Sequence, residues 1–191
     1  MTLVLITPPA VEPVSLVEAK AHLRLTGTDD DDYLAALIAA ARIQVEAATR
    51  RVLIEQTWRA YRDEWPSDGR VTLPLMPVRS IAEITLYDAD GTPTVLAADR
   101  WSLDTASSPA RLFLRGAAPA SRRVFNGLEI DVVAGYGPSG LDVPQPLRLA
   151  VMMLVARWYE NREGVAYGVV PSSIADPFEA LVAPFRVTRL A

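Results

Sequence analysis

Four consecutive aspartates, Asp29-Asp30-Asp31-Asp32, are the most chemically suggestive run in the chain. Clustered carboxylates hold hard divalent cations, and a bound Mg²⁺ or Mn²⁺ would activate water for hydrolysis. A calcium loop needs alternating ligands, a central glycine and a distal glutamate, and this run has none of these. Acidic residues are equally at home in the first turn of a helix, where they face the positive end of its dipole. The run therefore reads first as a helix start or an acidic patch. A metal-assisted hydrolase built on Asp29–Asp32 is the alternative.

Other catalytic constellations are thin. The single histidine, His22, has no nucleophile motif to serve, and it reads as a partly exposed helical residue. No serine sits in a Gly-x-Ser-x-Gly elbow. Gly135-Tyr136-Gly137-Pro138-Ser139-Gly140 lacks the Lys-Ser/Thr end of a phosphate loop and reads as the exit from a strand. With no cysteine, disulfides, thiolate metal sites and cysteine nucleophiles are excluded. No catalytic, cofactor or metal residue is assigned. Trp58, Trp65 and Trp101 leave a second alternative, a carbohydrate-binding module.

The elements that would position these residues run helix, strands, helix. Ser15 and Glu18 form a capping box that opens a short helix with Leu16, Ala19 and Leu23 on one face and Gly27 as its stop. From the aspartate run onward, Leu34, Ile38, Ala41, Val45, Ala48 and Val52 recur at steps of four and three, predicting an amphipathic helix of about six turns. Arg42, Glu46, Arg50 and Arg51 lie on or beside its polar side. From Thr57 to about Gly137 the period shortens to two, with turns at Asp90-Gly91 and Asn126-Gly127, predicting five to seven antiparallel strands. Pro144-Gln145-Pro146 opens a third helix, with Leu147, Val151, Leu154 and Trp158 as its buried stripe and Gly164 as its end. Asp176-Pro177-Phe178-Glu179 opens a short fourth helix that Pro184 stops. The fold class is α+β: a domain of four helices over 1–56 and 138–191, with an inserted small antiparallel β domain over 57–137.

The chain carries 19 basic and 23 acidic residues, a net charge of −4, which argues against a protein that wraps nucleic acid by releasing counterions. No apolar run approaches a membrane span, and the proline-broken N-terminus is not a signal peptide. Tryptophan, tyrosine and arginine are the commonest interface anchors. Trp158 and Arg162, an i/i+4 pair, therefore join Arg42, Glu46 and Arg50 as candidates for a subunit interface. The last eight residues, 184–191, alternate Phe185, Val187 and Leu190 with Arg186 and Arg189. They read equally as a disordered terminus and as an extended tail for docking on a partner, whose removal is expected to leave the fold untouched.

The order of segments is more specific than any one of them. Val14-Ser15-Leu16-Val17-Glu18-Ala19-Lys20-Ala21-His22-Leu23-Arg24-Leu25 leads into Asp31-Asp32-Tyr33-Leu34, Val45-Glu46, Thr49-Arg50-Arg51 and Gln56-Thr57-Trp58. Leu73-Pro74-Leu75, Ile84-Thr85-Leu86-Tyr87-Asp88, Ala134-Gly135-Tyr136-Gly137, Val143-Pro144 and Trp158-Tyr159-Glu160-Asn161-Arg162-Glu163 follow. This series resembles the head–tail connector, or adaptor, proteins of long-tailed bacteriophages and of gene transfer agents derived from them. The resemblance runs from about residue 13 to 189.

The resemblance implies a structural role without chemistry. It implies a homo-oligomeric ring, commonly a dodecamer, beneath the portal protein of a phage-like particle. The ring would bridge the portal to a neck, stopper or tail-completion protein, and DNA would pass through its channel without specific binding. Helices would build the ring body, the β part would project from it, and the C-terminal segment would bind the portal through Phe185, Arg186, Val187, Thr188 and Arg189. No cofactor and no membrane partner are implied.

Overall fold

The structure, a computed structural model, describes residues 1–117, 123–161 and 177–187. The fold is α+β, divided into two compact units. One comprises Ala10–Ile54 and Gly137–Ala191 and contains the described α-helices. The other comprises Met1–Pro9 and Glu55–Tyr136 and contains the strands.

In the helical unit, α1 spans Leu16–Leu23, α2 Asp31–Thr49, α3 Gln145–Glu160 and α4 Pro177–Val182. The Ser15 hydroxyl accepts from the Glu18 amide at 3.2 Å, and the Ser15 amide donates to the Glu18 carboxylate at 2.9 Å. Two orphan donors of the first turn are thereby satisfied. The stop of α1 is Arg24 rather than Gly27. Arg24 turns left-handed with φ of 58°, and the Leu25 amide reaches back to the Lys20 carbonyl at 2.9 Å. Covering the last carbonyls offsets the left-handed cost that glycine would avoid. Arg50 ends α2 in the same way, also at φ of 58°, so this helix stops at Thr49, short of the six expected turns. Val52 is buried beyond the turn.

α2 packs against α3, and α3 against α4. Leu34, Ile38, Ala41 and Val45 of α2 are buried, as are Leu147, Ala150, Val151, Leu154 and Val155 of α3. Ala41 and Ala150 are fully buried, and small side chains at such positions let helix backbones approach closely. Val182 carries the burial of α4.

The β unit holds eight described strands: β1 Thr2–Thr7, β2 Gln56–Arg62, β3 Arg70–Thr72, β4 Val78–Tyr87, β5 Pro93–Val95, β6 Trp101–Asp104, β7 Arg111–Leu114 and β8 Leu128–Ala134. Five form an antiparallel sheet in the order β1-β2-β8-β4-β5, and three form a second sheet in the order β3-β7-β6. Ala60, Ile130 and Ile84 stand in register across β2, β8 and β4 and are buried, as are Val132 and Leu86. Val71, Leu112 and Leu114 supply the buried side chains of the second sheet. Gly91, at φ of 82°, makes the turn from β4 to β5.

One boundary differs from the sequence expectation, which put 1–56 with the helices. Thr2–Thr7 is a strand paired antiparallel with β2, Thr2 opposite Tyr61 and Leu5 opposite Trp58, so the first nine residues lie in the β unit. Backbone pairing with a partner fifty or more residues away takes this segment out of the helical part.

Candidate subunit and partner interface

The aspartate run does not converge on a point. The Asp31 carboxylate pairs with the Lys20 ammonium at 2.6 Å, and Asp30 accepts from the Tyr159 hydroxyl at 2.6 Å. Asp29 and Asp32 are exposed. Among the described residues no group of three or more His, Asp or Glu side chains is disposed to hold a metal ion. The run sits at the start of α2, with Asp31 and Asp32 in its first turn, and there the dipole favours it. His22 is exposed on α1. The three tryptophans make no sugar platform: Trp65 is buried, and Trp58 and Trp101 lie half-buried in different sheets.

Arg42, expected on the polar side of α2, is buried. Its Nε donates to Glu12 at 2.8 Å and its Nη1 to Glu46 at 3.0 Å. The other carboxylate oxygen of Glu46 accepts from the Leu53 amide at 2.8 Å. A guanidinium forks naturally between two carboxylates, and the pairing is what makes its burial tolerable. Arg42 and Glu46 are thus brought together, and their partners lie within the chain. Arg50 is exposed at the turn that ends α2. Trp158 is half-buried on α3, one residue from Tyr159, whose ring stacks at a tilt on Tyr33 with centroids 6.3 Å apart. Arg162, Gly164 and Asp176 lie outside the described residues.

A second buried arginine gave no signal beyond its place beside the α3 stripe. Arg148 donates to the Pro13 carbonyl at 3.0 Å, to Gln145 at 3.1 Å and to Glu18. Glu18 therefore serves two partners, the capping box of α1 and the guanidinium of α3. Its carboxyl is held below the ordinary value of 4.5, first by the hydrogen bond from the Ser15 backbone, then by the Ser15 and Arg148 side chains, against the opposing effect of burial. Gly140 packs beside the same segment: a Cβ there would stand 2.9 Å from the Pro13 carbonyl oxygen.

The C-terminal segment is anchored to its own chain. Pro184 falls inside a tight turn over Ala183–Phe185 that follows α4. Arg51 Nε donates to the Phe185 carbonyl at 2.6 Å, and the Val187 amide donates to the Thr49 carbonyl at 3.3 Å. Phe185 and Val187 are half-buried, whereas Arg186 is exposed and pairs with Glu179 at 2.7 Å. The expectation that the fold does not depend on 184–191 is therefore corrected at residues 185–187. Arg51 can reach across the turn because α2 ends two residues before it. Thr188 and Arg189 lie outside the described residues.

The five-stranded sheet carries its own charged face. Arg59 on β2 grips Asp131 on β8 with two bonds, at 2.7 and 2.8 Å, and reaches Glu129 at 2.9 Å. The Tyr87 hydroxyl donates to Glu129 at 3.1 Å, and Arg123 lies 5.2 Å above the Tyr87 ring. The hydrogen bond to Asp131 leads the causes that raise the Arg59 pKa, while burial leads those that raise the Tyr87 pKa. These are cross-strand pairs that fix register.

Residues 13–89 match the family model described as phage gp6-like head-tail connector protein. No curated protein sequence matches the chain. Among solved structures it is similar to a chain in the neck of an empty GTA particle computed with C6 symmetry, at 31% identity and a TM-score of 0.85, covering 100% of this chain and 98% of that one. A chain in the virion of a native gene transfer agent particle matches at 31% identity and a TM-score of 0.82 over the same shares. The neck of a native GTA particle computed with C12 symmetry matches at 29% identity and a TM-score of 0.77, again over 100% and 98%. A likeness that spans both units, end to end in each chain, reaches well past the segment the family model matches. The chain belongs to the phage gp6-like head–tail connector family.

Proposed function

We propose that this connector acts as a ring subunit in the neck of a phage-like particle, between head and tail, where it joins the portal to the next neck or tail-completion protein and leaves a channel for DNA. The observation that carries the reading is the end-to-end likeness to a gene transfer agent neck chain, at 31% identity over 98% of that chain. Similar chains occur in necks computed with six-fold and with twelve-fold symmetry. Twelve copies are the smallest single ring that satisfies both, which favours the dodecamer. In this reading α2 and α3 contribute the ring body.

The attachment surface is the C-terminal segment. Phe185 and Val187 are held by the helical unit and exposed Arg186 stands between them; with Thr188 and Arg189 they make up the portal-binding set. Arg50, Trp158 and Arg162 are assigned to the contact with the neighbouring copy, and Arg42 and Glu46 support it from within. The role is mechanical, with no catalytic step, and the net charge of −4 suits a channel past which DNA must slide. The test is co-sedimentation of the purified protein with DNA-filled, portal-bearing heads of the parent particle. Wild-type protein is expected in the head fraction, and its absence at saturating concentration would overturn the reading.

A further inference from the structure

The N-terminal strand is unlike the others. β1 is an edge of the five-stranded sheet, paired with β2 on one side only. Its sequence, Thr2-Leu3-Val4-Leu5-Ile6-Thr7, contains no charge and no proline. Val4 is 43% exposed, Leu5 40% and Ile6 45%, so aliphatic side chains on both faces of the strand meet solvent. Proteins guard free edges with charges, prolines or covering loops, because unpaired backbone groups beside apolar side chains recruit another strand. Among the described residues β1 carries none of these three guards; its one irregularity is a shift of register against β2 between Leu5 and Thr7. The opposite edge, β5, is short and has a proline at its first position, yet its side chains meet solvent: Pro93–Val95 is exposed throughout, and Val95 is 58% exposed.

We propose that the free edge of β1 is a subunit interface, occupied by β5 of the next copy of this chain, so that the five-stranded sheets join edge to edge around the ring. This rests on the ring reading above. Closed rings need a heterologous contact, in which two different patches of one subunit meet on successive copies. Opposite edges of one sheet are such a pair, and the order β1-β2-β8-β4-β5 leaves these two edges free. Every neighbouring pair in that order is antiparallel, so β1 and β5 run in the same direction. A copy related by a small rotation presents β5 parallel to β1. Main-chain hydrogen bonds supply the contact, and Val4, Leu5, Ile6 and Val95 lose their water. A β1–β1 pairing would instead close a dimer and stop.

The chain has no cysteine, so introduced thiols report cleanly. Within one chain β1 and β5 are separated by four inter-strand steps, about 19 Å, against a disulfide limit of about 7 Å between Cα atoms. A cross-link between Val4→Cys and Val95→Cys must therefore join two copies. The double variant is assembled on portal-bearing heads and treated with oxidant, or with a bismaleimide shorter than the intrachain separation so that strand register does not decide the result. A ladder of bands rising past the dimer is expected on a non-reducing gel. In parallel, Val4→Lys is expected to keep the wild-type melting temperature and to lose ring formation by electron microscopy. A wild-type ring with only monomer bands and an unaffected Val4→Lys ring would overturn the edge pairing alone. Efficient dimer bands from Val4→Cys by itself would overturn it in favour of β1–β1 contact. A wild-type chain that forms no ring on heads would overturn this proposal together with the ring reading.

Discussion

Arg51 donates from Nε to the carbonyl oxygen of Phe185 at 2.6 Å, joining residues 134 apart in sequence. With the Val187 amide on the Thr49 carbonyl, this bond ties residues 185–187 to the end of α2. Residues 185–187 therefore belong to the fold itself as well as to the attachment segment proposed above.

Two truncations separate fold from attachment. Deleting 188–191 is expected to leave the thermal melt unchanged and to abolish co-sedimentation with portal-bearing heads. Deleting 184–191 also removes the partner of Arg51 and the half-buried Phe185 and Val187. Its expected cost is about 2 kcal/mol, from a hydrogen bond to a charged group, or roughly 4–8 °C in Tm for a chain of this size. Arg51→Ala should reproduce most of that drop. Equal melts for the two truncations would show that 185–187 contribute nothing to the fold.

Glu18 links stability to pH. Its carboxyl is depressed in the folded state, so the unfolded chain takes up the proton first. The contribution is therefore fully present above the ordinary value of 4.5 and is lost as pH falls through the lower folded value. Melts of the wild type between pH 6 and pH 3 should fall more steeply than those of Glu18→Gln. Parallel curves would contradict the assignment.

Two glycines should answer oppositely to alanine. At Gly140 the new Cβ would meet backbone oxygens of Pro13 and Glu12 at 2.9 and 3.0 Å, and the expected loss is about 1–3 kcal/mol. At Gly27 nothing lies within 4 Å, so the stiffer unfolded chain is expected to raise stability by about 0.4–1 kcal/mol. Denaturant midpoints of the two variants check both signs.

A net charge of −4 provides little counterion release. Gel shifts at submicromolar protein and physiological salt should show no stable duplex binding. A shift that weakens steeply with added salt would contradict a passive channel wall. No hydrolysis of nuclease or phosphatase substrates is expected with or without added Mg²⁺, since Asp30 and Asp31 are engaged by Tyr159 and Lys20. Turnover abolished by Asp31→Asn would revive the metal-site reading.

Local signals carried the helices and most strands. Ser15 and Glu18 make the capping box their spacing implies, the Leu34–Ile38–Ala41–Val45 stripe is buried, and the alternation between 57 and 137 resolves into seven strands. The features that escaped depend on distant partners. β1 is a short aliphatic run ahead of Pro8-Pro9, and neither its period nor its length distinguishes a strand from a loop until β2 is beside it. Arg42 looks solvent-facing by sequence, yet Glu12, thirty residues back, makes its burial possible. Arg24 and Arg50 stop helices in a conformation usually assigned to glycine. The anchoring of Phe185 depends on Arg51 and was hidden for the same reason.

The central claim is that this chain is the structural link beneath the portal. Electron microscopy of portal-bearing heads, imaged with and without saturating purified protein, tests it most directly. The account predicts a ring of added density below the portal, with twelve-fold symmetry and an open axial channel. Heads whose portal vertex is unchanged by the protein would contradict it.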